Sequence, residues 1–173
     1  MTGHLVLSTL HTNEAPGAVT RLLDMGIPSY LVSDALVAVI SQRLIKKLCP
    51  HCKKPVKTTP EQRRALGLRD DIIIYEPNGC PYCNNTGYKG RQAVHELLYL
   101  NDDVKEMITR PNVSIEDIRE VSIKKADMTP LFAAARKVVI KGQTSYYDLL
   151  SLIVSEERDT RTSMIDTPKR ASK

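Results

Sequence analysis

The chain has no tryptophan, a single phenylalanine and an aromatic content of only 5%, so ring platforms on which single-stranded nucleic acid could stack are scarce. No apolar run approaches the roughly 18 residues that a membrane-crossing helix requires. The N-terminus lacks the basic-then-apolar pattern of a signal peptide, and a cytosolic location is the default expectation. Missing as well are a GxxxxGK[ST] phosphate loop, a GxGxxG turn, an HExxH helix and a GxSxG elbow. Their absence removes the common self-contained catalytic signatures. There is no internal repeat. What remains is enough for a folded core: 173 residues with 42% hydrophobic content make one ordinary domain or two small ones.

The chain has four cysteines, and all fall in two pairs, Cys49-Pro-His-Cys52 and Cys80-Pro-Tyr-Cys83, with 27 residues between them. Zinc takes four ligands in a tetrahedron, and one tight CxxC turn presents two sulfurs to one ion, so two such turns complete the shell. In a reducing cytosol this pattern favours metal over disulfides, with CxxC redox chemistry as the competing reading. A shell closed by Cys49, Cys52, Cys80 and Cys83 leaves no position for a substrate, so the expected zinc is structural. His51 lies between two ligands of a shell that the thiolates already fill.

The net charge of +5 is concentrated. Arg43, Lys46, Lys47, Lys53, Lys54 and Lys57 fall between Arg43 and Pro60 with no acidic residue among them. Cations beside the first CxxC turn would stabilise thiolates; a nucleic-acid patch is the less favoured reading.

Along the chain, His4 to Leu10 reads as a buried strand delivering a polar turn, His11-Thr12-Asn13. Asn13 is expected to cap a helix with Pro16 in its first turn and Gly26 at its end. Pro28 or Ser29 starts another helix, burying Leu31, Ala35, Leu36 and Val39, and Gln42 to Leu48 fits helix or strand equally. Pro60 to Gly67 reads as a short helix, Ile72 to Tyr75 as a strand and Gln92 to Leu100 as extended, with His95 half-buried. Then come helices capped by Asn101, by Ser114 with Asp117, by Thr129-Pro130 up to Gly142, and by Ser145. Ile115, Ile118, Val121 and Ile123 fit one apolar face. From Glu156 on the chain reads as a polar tail.

Thr2-Gly-His-Leu-Val-Leu-Ser-Thr-Leu-His-Thr-Asn13, continuing through Thr20-Arg-Leu-Leu-Asp-Met-Gly26, resembles the His box of the type II secretion and type IV pilus assembly ATPases (the GspE/PilB class). Ser41-Gln-Arg-Leu44, the two cysteine pairs, Thr86-Gly-Tyr-Lys-Gly-Arg91 and His95-Glu-Leu-Leu98 follow in that family's order, so the resemblance covers about Thr2 to Val154. It implies an α/β chain: the C-terminal part of a RecA-like P-loop NTPase core (1–48), an inserted tetracysteine zinc subdomain (49–91), a mainly helical C-terminal region (92–155) and a polar, disordered tail (156–173).

The resemblance further implies a homo-hexameric cytoplasmic motor that uses ATP and magnesium. Such a motor acts on an inner-membrane platform protein and is peripheral to the membrane through its partners; no nucleic acid is expected. His11 is the implied catalytic residue and γ-phosphate contact, with Thr9 and Thr12 flanking it and His4 second. Arg21, Gln42, Arg43 and Arg91 match family positions without an assigned chemistry. The resemblance places this chain after the Walker A and B motifs, so a partial chain without turnover of its own is expected. The alternative is a standalone zinc-ribbon-like module binding nucleic acid through the basic cluster.

Overall fold

Regular structure in the computed structural model, which describes residues 3–152, begins with helix α1 (Ala15–Asp24). The expected strand before it is absent: residues 3–12 have no regular structure, and Leu5, Val6 and Leu7 are 80%, 77% and 88% exposed. A strand must pair its N–H and C=O groups with a neighbour, and among the described residues no strand pairs with this run. The cap of α1 is also one residue later than expected. Glu14, not Asn13, occupies it and makes no side-chain bond to the helix. Its carboxylate instead accepts from Arg119 Nε at 2.8 Å and Nη2 at 2.5 Å. The helix ends at Gly26 as its sequence predicts, with Gly26 N–H bonded to Leu23 O and Ile27 N–H to Leu22 O.

Helix α2 (Ser29–Ala35) starts on time but is short. It buries Val32 and Ser33 and leaves Leu31 and Ala35 exposed, while Leu36 and Val39 lie beyond it, partly buried. The ambiguous stretch 42–48 belongs to strand β1 (Ala38–Leu48), which pairs with a later strand, β4 (Tyr88–Tyr99). On β4 the two-residue alternation of side chains turns Val94, Glu96 and Leu98 inward. His95, between two of them, is therefore exposed rather than half-buried, and its Nε2 lies 3.1 Å from Gln42 Oε1.

The chain forms two compact units. Among the described residues, one holds residues 3–41 with Leu97–Met128; the other holds Gln42–Glu96 and residues 129–152. The first unit packs α1, α2, α4 (Asp102–Thr109) and α5 (Ile115–Lys125) around Val19, Val32, Leu98, Val104, Ile108 and Ile118. Each such buried side chain contributes about 1.5–3 kcal/mol. Asn101 Oδ1 accepts from Val104 N–H at 3.1 Å and caps α4. On α5 the apolar face is narrower than expected: Ile118 is buried and Val121 packs on the core, but Ile123 is 41% exposed. Ser122, four residues after Ile118, holds the buried position instead and donates to Ile118 O at 2.6 Å.

A reciprocal capping box opens α5, with Ser114 Oγ accepting from Asp117 N–H at 3.1 Å and Asp117 Oδ2 accepting from Ser114 N–H at 2.9 Å. The Ser114 hydroxyl, then its amide, hold the Asp117 carboxyl below the usual range against a smaller opposing effect of burial, and Arg110 adds to the lowering. A depressed native pKa contributes stability that is present above the unfolded-state value near 3.9 and lost as pH falls through the native value. Acid titration should therefore fray the start of α5 only below about pH 4. Asp117→Asn should remove that acid step in amide-exchange or NMR titrations; an identical titration in the variant would contradict this.

The second unit contains β2 (Lys54–Lys57), α3 (Pro60–Ala65), β3 (Ile73–Glu76), α6 (Leu131–Ile140) and helical residues 146–152. Its core includes Ile45, Leu66, Ile74, Val94, Leu131 and Leu149. Strands β2 and β3 are antiparallel, with Lys54 opposite Glu76 and Val56 opposite Ile74. Thr59 and Gln62 form the capping box of α3. The buried Glu96 carboxylate accepts from Leu131 N–H at 3.0 Å and so satisfies one orphan amide at the start of α6. Helix α6 stops at Gly142 and Ser145 Oγ caps the last helix, accepting from Asp148 N–H at 3.1 Å, both as predicted from sequence. The polar tail expected over 156–173 lies outside the described residues. No helix among the described residues is long and apolar enough to cross a membrane.

Candidate metal centre

The four cysteines, spread over 35 positions of sequence (49–83), come together in the second unit with all four sulfurs within 4.8 Å of one another. Cys49 Sγ lies 3.8 Å from Cys80 Sγ, Cys52 Sγ 3.8 Å from Cys83 Sγ, and Cys80 Sγ 3.7 Å from Cys83 Sγ. A tetrahedral ion with metal–sulfur bonds of about 2.3 Å demands sulfur–sulfur edges of about 3.8 Å. The donor set therefore fits a closed four-thiolate shell, and among the described residues no histidine or carboxylate joins the cluster.

Local backbone chemistry builds each turn. In the first, Cys52 N–H and Lys53 N–H both bond to Cys49 O, at 3.4 and 3.1 Å. In the second, a short 3₁₀ turn over Pro81–Cys83 places Cys83 N–H 3.1 Å and Asn85 N–H 2.9 Å from Cys80 O. Proline after the first cysteine of each pair suits such a turn, because its fixed φ is that of the first turn position and no N–H is lost there. Gly87 links the two turns: its N–H donates to Cys83 Sγ at 3.2 Å and its carbonyl accepts from Cys49 N–H at 2.9 Å.

Electrostatics separate the thiols. Burial pushes the Cys52 thiol up to about 11, with Cys80, Cys83 and Cys49 adding to the rise against a Gly79 amide bond. Burial also opposes a Cys83 thiolate, but amide donors from Cys80 and Gly87, with the Cys80 and Cys52 thiols, outweigh it and bring Cys83 down to about 6. A cation held by the cluster would favour the charged form of all four.

Sequence reasoning placed the four cysteines correctly and missed their supports. His51 is not a ligand candidate: its ring stacks on Tyr82 with centroids 4.3 Å apart and planes 14° apart, pairing the third residues of the two turns. Two side chains of the basic cluster beside the first turn, Lys46 and Lys53, make specific contacts. Lys53 Nζ donates to Gly142 O at 2.7 Å and lies 4.3 Å over the Tyr75 ring, and Lys46 Nζ lies 5.3 Å over Tyr88. The motif around Thr86-Gly-Tyr was the one available signal for Gly87; Gly142 was marked only as a helix end, and nothing local marked it or Asp148 as a support of the cysteine turns. His4, Thr9, His11 and Thr12 all lie in the irregular stretch before α1, the first three exposed and Thr12 half-buried.

A family model described as "Type II/IV secretion system protein" matches residues 1–158. Similar chains include the type II secretion system ATPase E of Vibrio cholerae, 51% identical over 110 residues, 62% of this chain and 22% of the relative. The type II secretion system protein E of Aeromonas hydrophila is 43% identical over 153 residues, 87% of this chain and 30% of the relative. The type IV pilus assembly ATPase PilB of Thermus thermophilus is 45% identical over 133 residues, 75% of this chain and 15% of the relative. The chain thus spans less than a third of the length of these relatives. With the family match running over most of its length and a four-cysteine cluster at its centre, this mixed helix-and-strand chain belongs to the type II/IV secretion system protein family.

Proposed function

We propose that this chain is the C-terminal portion of a cytoplasmic, homo-hexameric motor ATPase that powers type II secretion or type IV pilus assembly through an inner-membrane platform protein. The observation that carries this reading is the family match over residues 1–158, two of whose similar chains are named ATPases of those two machines. In this reading residues 1–48 complete a RecA-like P-loop core, 49–91 form a zinc subdomain and 92–155 a helical region, followed by the polar tail 156–173. Cys49, Cys52, Cys80 and Cys83 hold a structural zinc, which when bound neutralises thiolate charge and pins the two turns together. The alternative of a standalone nucleic-acid-binding module leaves the stretch around His11 without a role.

ATP turnover requires phosphates clamped by loop amides, a lysine and magnesium, and this sequence contains no GxxxxGK[ST] loop. The 173-residue chain is therefore expected to show no turnover alone. Joined in one polypeptide to a phosphate-loop core, it should support hydrolysis. There His11, flanked by Thr9 and Thr12 with His4 second, donates to the γ-phosphate. Removing such a donor costs roughly a hundredfold in kcat. His11→Ala in the joined polypeptide is expected to lose that much, and undiminished turnover would overturn the assignment.

A further inference from the structure

The bonds around the cysteine turns converge on one short segment, residues 142–148. Lys53, directly after Cys52, donates from Nζ to Gly142 O at 2.7 Å. Leu48, directly before Cys49, donates its N–H to Gln143 O at 2.9 Å. Two residues further back, Lys46 N–H donates to Asp148 Oδ2 at 2.6 Å. On the strand that follows the second turn, the Tyr88 hydroxyl shares a hydrogen bond with Ser145 Oγ at 2.8 Å. Thr144, Ser145 and Asp148 are buried. A buried polar group stripped of its partner costs about 1–3 kcal/mol, so these bonds hold the segment as firmly as the segment holds the turns.

We propose that residues 142–148 are the positioning element of the metal centre. They fix the chain on both sides of Cys49-Pro-His-Cys52 and the strand after Cys83, setting the distance between the two thiolate pairs. Metal occupancy in return orders this segment and the helical residues 146–152 that it leads into. The reciprocity is required by linkage: if an ordered segment tightens metal binding, bound metal must stabilise the ordered segment by the same factor. The proposal rests on the reading of the four cysteines as metal ligands. It adds Lys53, Tyr88 and Asp148 as residues that act on that site without touching the ion.

The test uses the 173-residue chain with zinc and cobalt as probes. Lys53→Met keeps an aliphatic stem over Tyr75 and loses the donor; Tyr88→Phe keeps the ring and loses the hydroxyl. Each is expected to weaken zinc binding about tenfold in chelator competition, the scale typical of residues that orient ligands. The cobalt spectrum of a four-thiolate tetrahedron should be retained in both. Arg119→Ala, in the other unit, should leave affinity unchanged. Amide exchange over residues 143–149 of the unsubstituted chain should accelerate at least tenfold when zinc is removed, a readout that needs no variant. A chain that takes up neither metal would overturn the metal reading itself. A chain that binds zinc, with variants of unchanged affinity and exchange at 143–149 indifferent to zinc, would overturn this proposal alone.

Discussion

Removing zinc from the loaded chain with a chelator is expected to abolish the cooperative thermal transition of the unit that holds Ile45, Ile74 and Leu149. Structural zinc sites supply about 10–16 kcal/mol, whereas a whole domain is stable by about 5–15 kcal/mol. The segment between the two cysteine turns has little of its own to replace that contribution. Strands β2 and β3, which lie between the turns, have only four residues each, and a two-stranded ribbon is marginal by itself. The cysteine turns carry little apolar burial beyond Cys49 and Cys83, which are themselves ligand candidates. Cys83→Ser should act like chelation, since it removes the sulfur that accepts amide bonds from both Cys80 and Gly87. Calorimetry or near-ultraviolet dichroism with and without chelator measures this. A transition at the same temperature in both conditions would show that the cluster does not hold the fold.

The second large effect is expected from Gly87→Ala. Gly87 has φ +76, and a Cβ there would sit 2.4 Å from Pro77 Cβ and 2.9 Å from Pro77 Cα. The left-handed conformation costs a non-glycine residue about 1–2 kcal/mol. Overpacking against a neighbour that cannot swing aside adds about 1–3 kcal/mol. A loss of about 2–5 kcal/mol follows. Because Gly87 bonds both to Cys83 Sγ and to Cys49 N–H, metal affinity should fall with stability. Gly90→Ala is the control: its φ is +77 but no atom lies within 4 Å of the added Cβ, so only the conformational cost applies. Urea unfolding of the zinc-loaded variants separates the two, and equal losses would place the cost in the backbone conformation rather than the contact with Pro77.

Local chemistry was legible in the sequence wherever one residue satisfies another three or four positions away. Asn101 at α4, Ser114 with Asp117 at α5, Ser145 before the last helix and Gly26 after α1 all work within a single turn. Readings that needed a distant partner were mixed: the strands expected over 72–75 and 92–100 formed, but others did not. His4 to Leu10 has strand-forming residues but no neighbouring strand among the described residues, and propensity without pairing does not make a strand. Leu31 and Ile123 are apolar at plausible positions yet exposed, because a helix buries only the stripe that meets another element. His95 was one step out of phase with a strand whose inward residues are Val94 and Glu96.

For the candidate metal centre, the pairing of four cysteines into two short turns and the family are both written in the sequence. Two CxxC turns leave few alternatives for four thiols, and turn geometry within each pair is encoded by four adjacent residues. How the turns are held is set by packing between distant parts of the chain. Lys53 reaches a carbonyl 89 positions away and Lys46 N–H a carboxylate 102 positions away, and neither bond leaves a periodicity or motif in the chain. Long-range polar contacts depend on which buried groups would otherwise be unpaired, and that is settled when the elements pack, not when the residues are strung together.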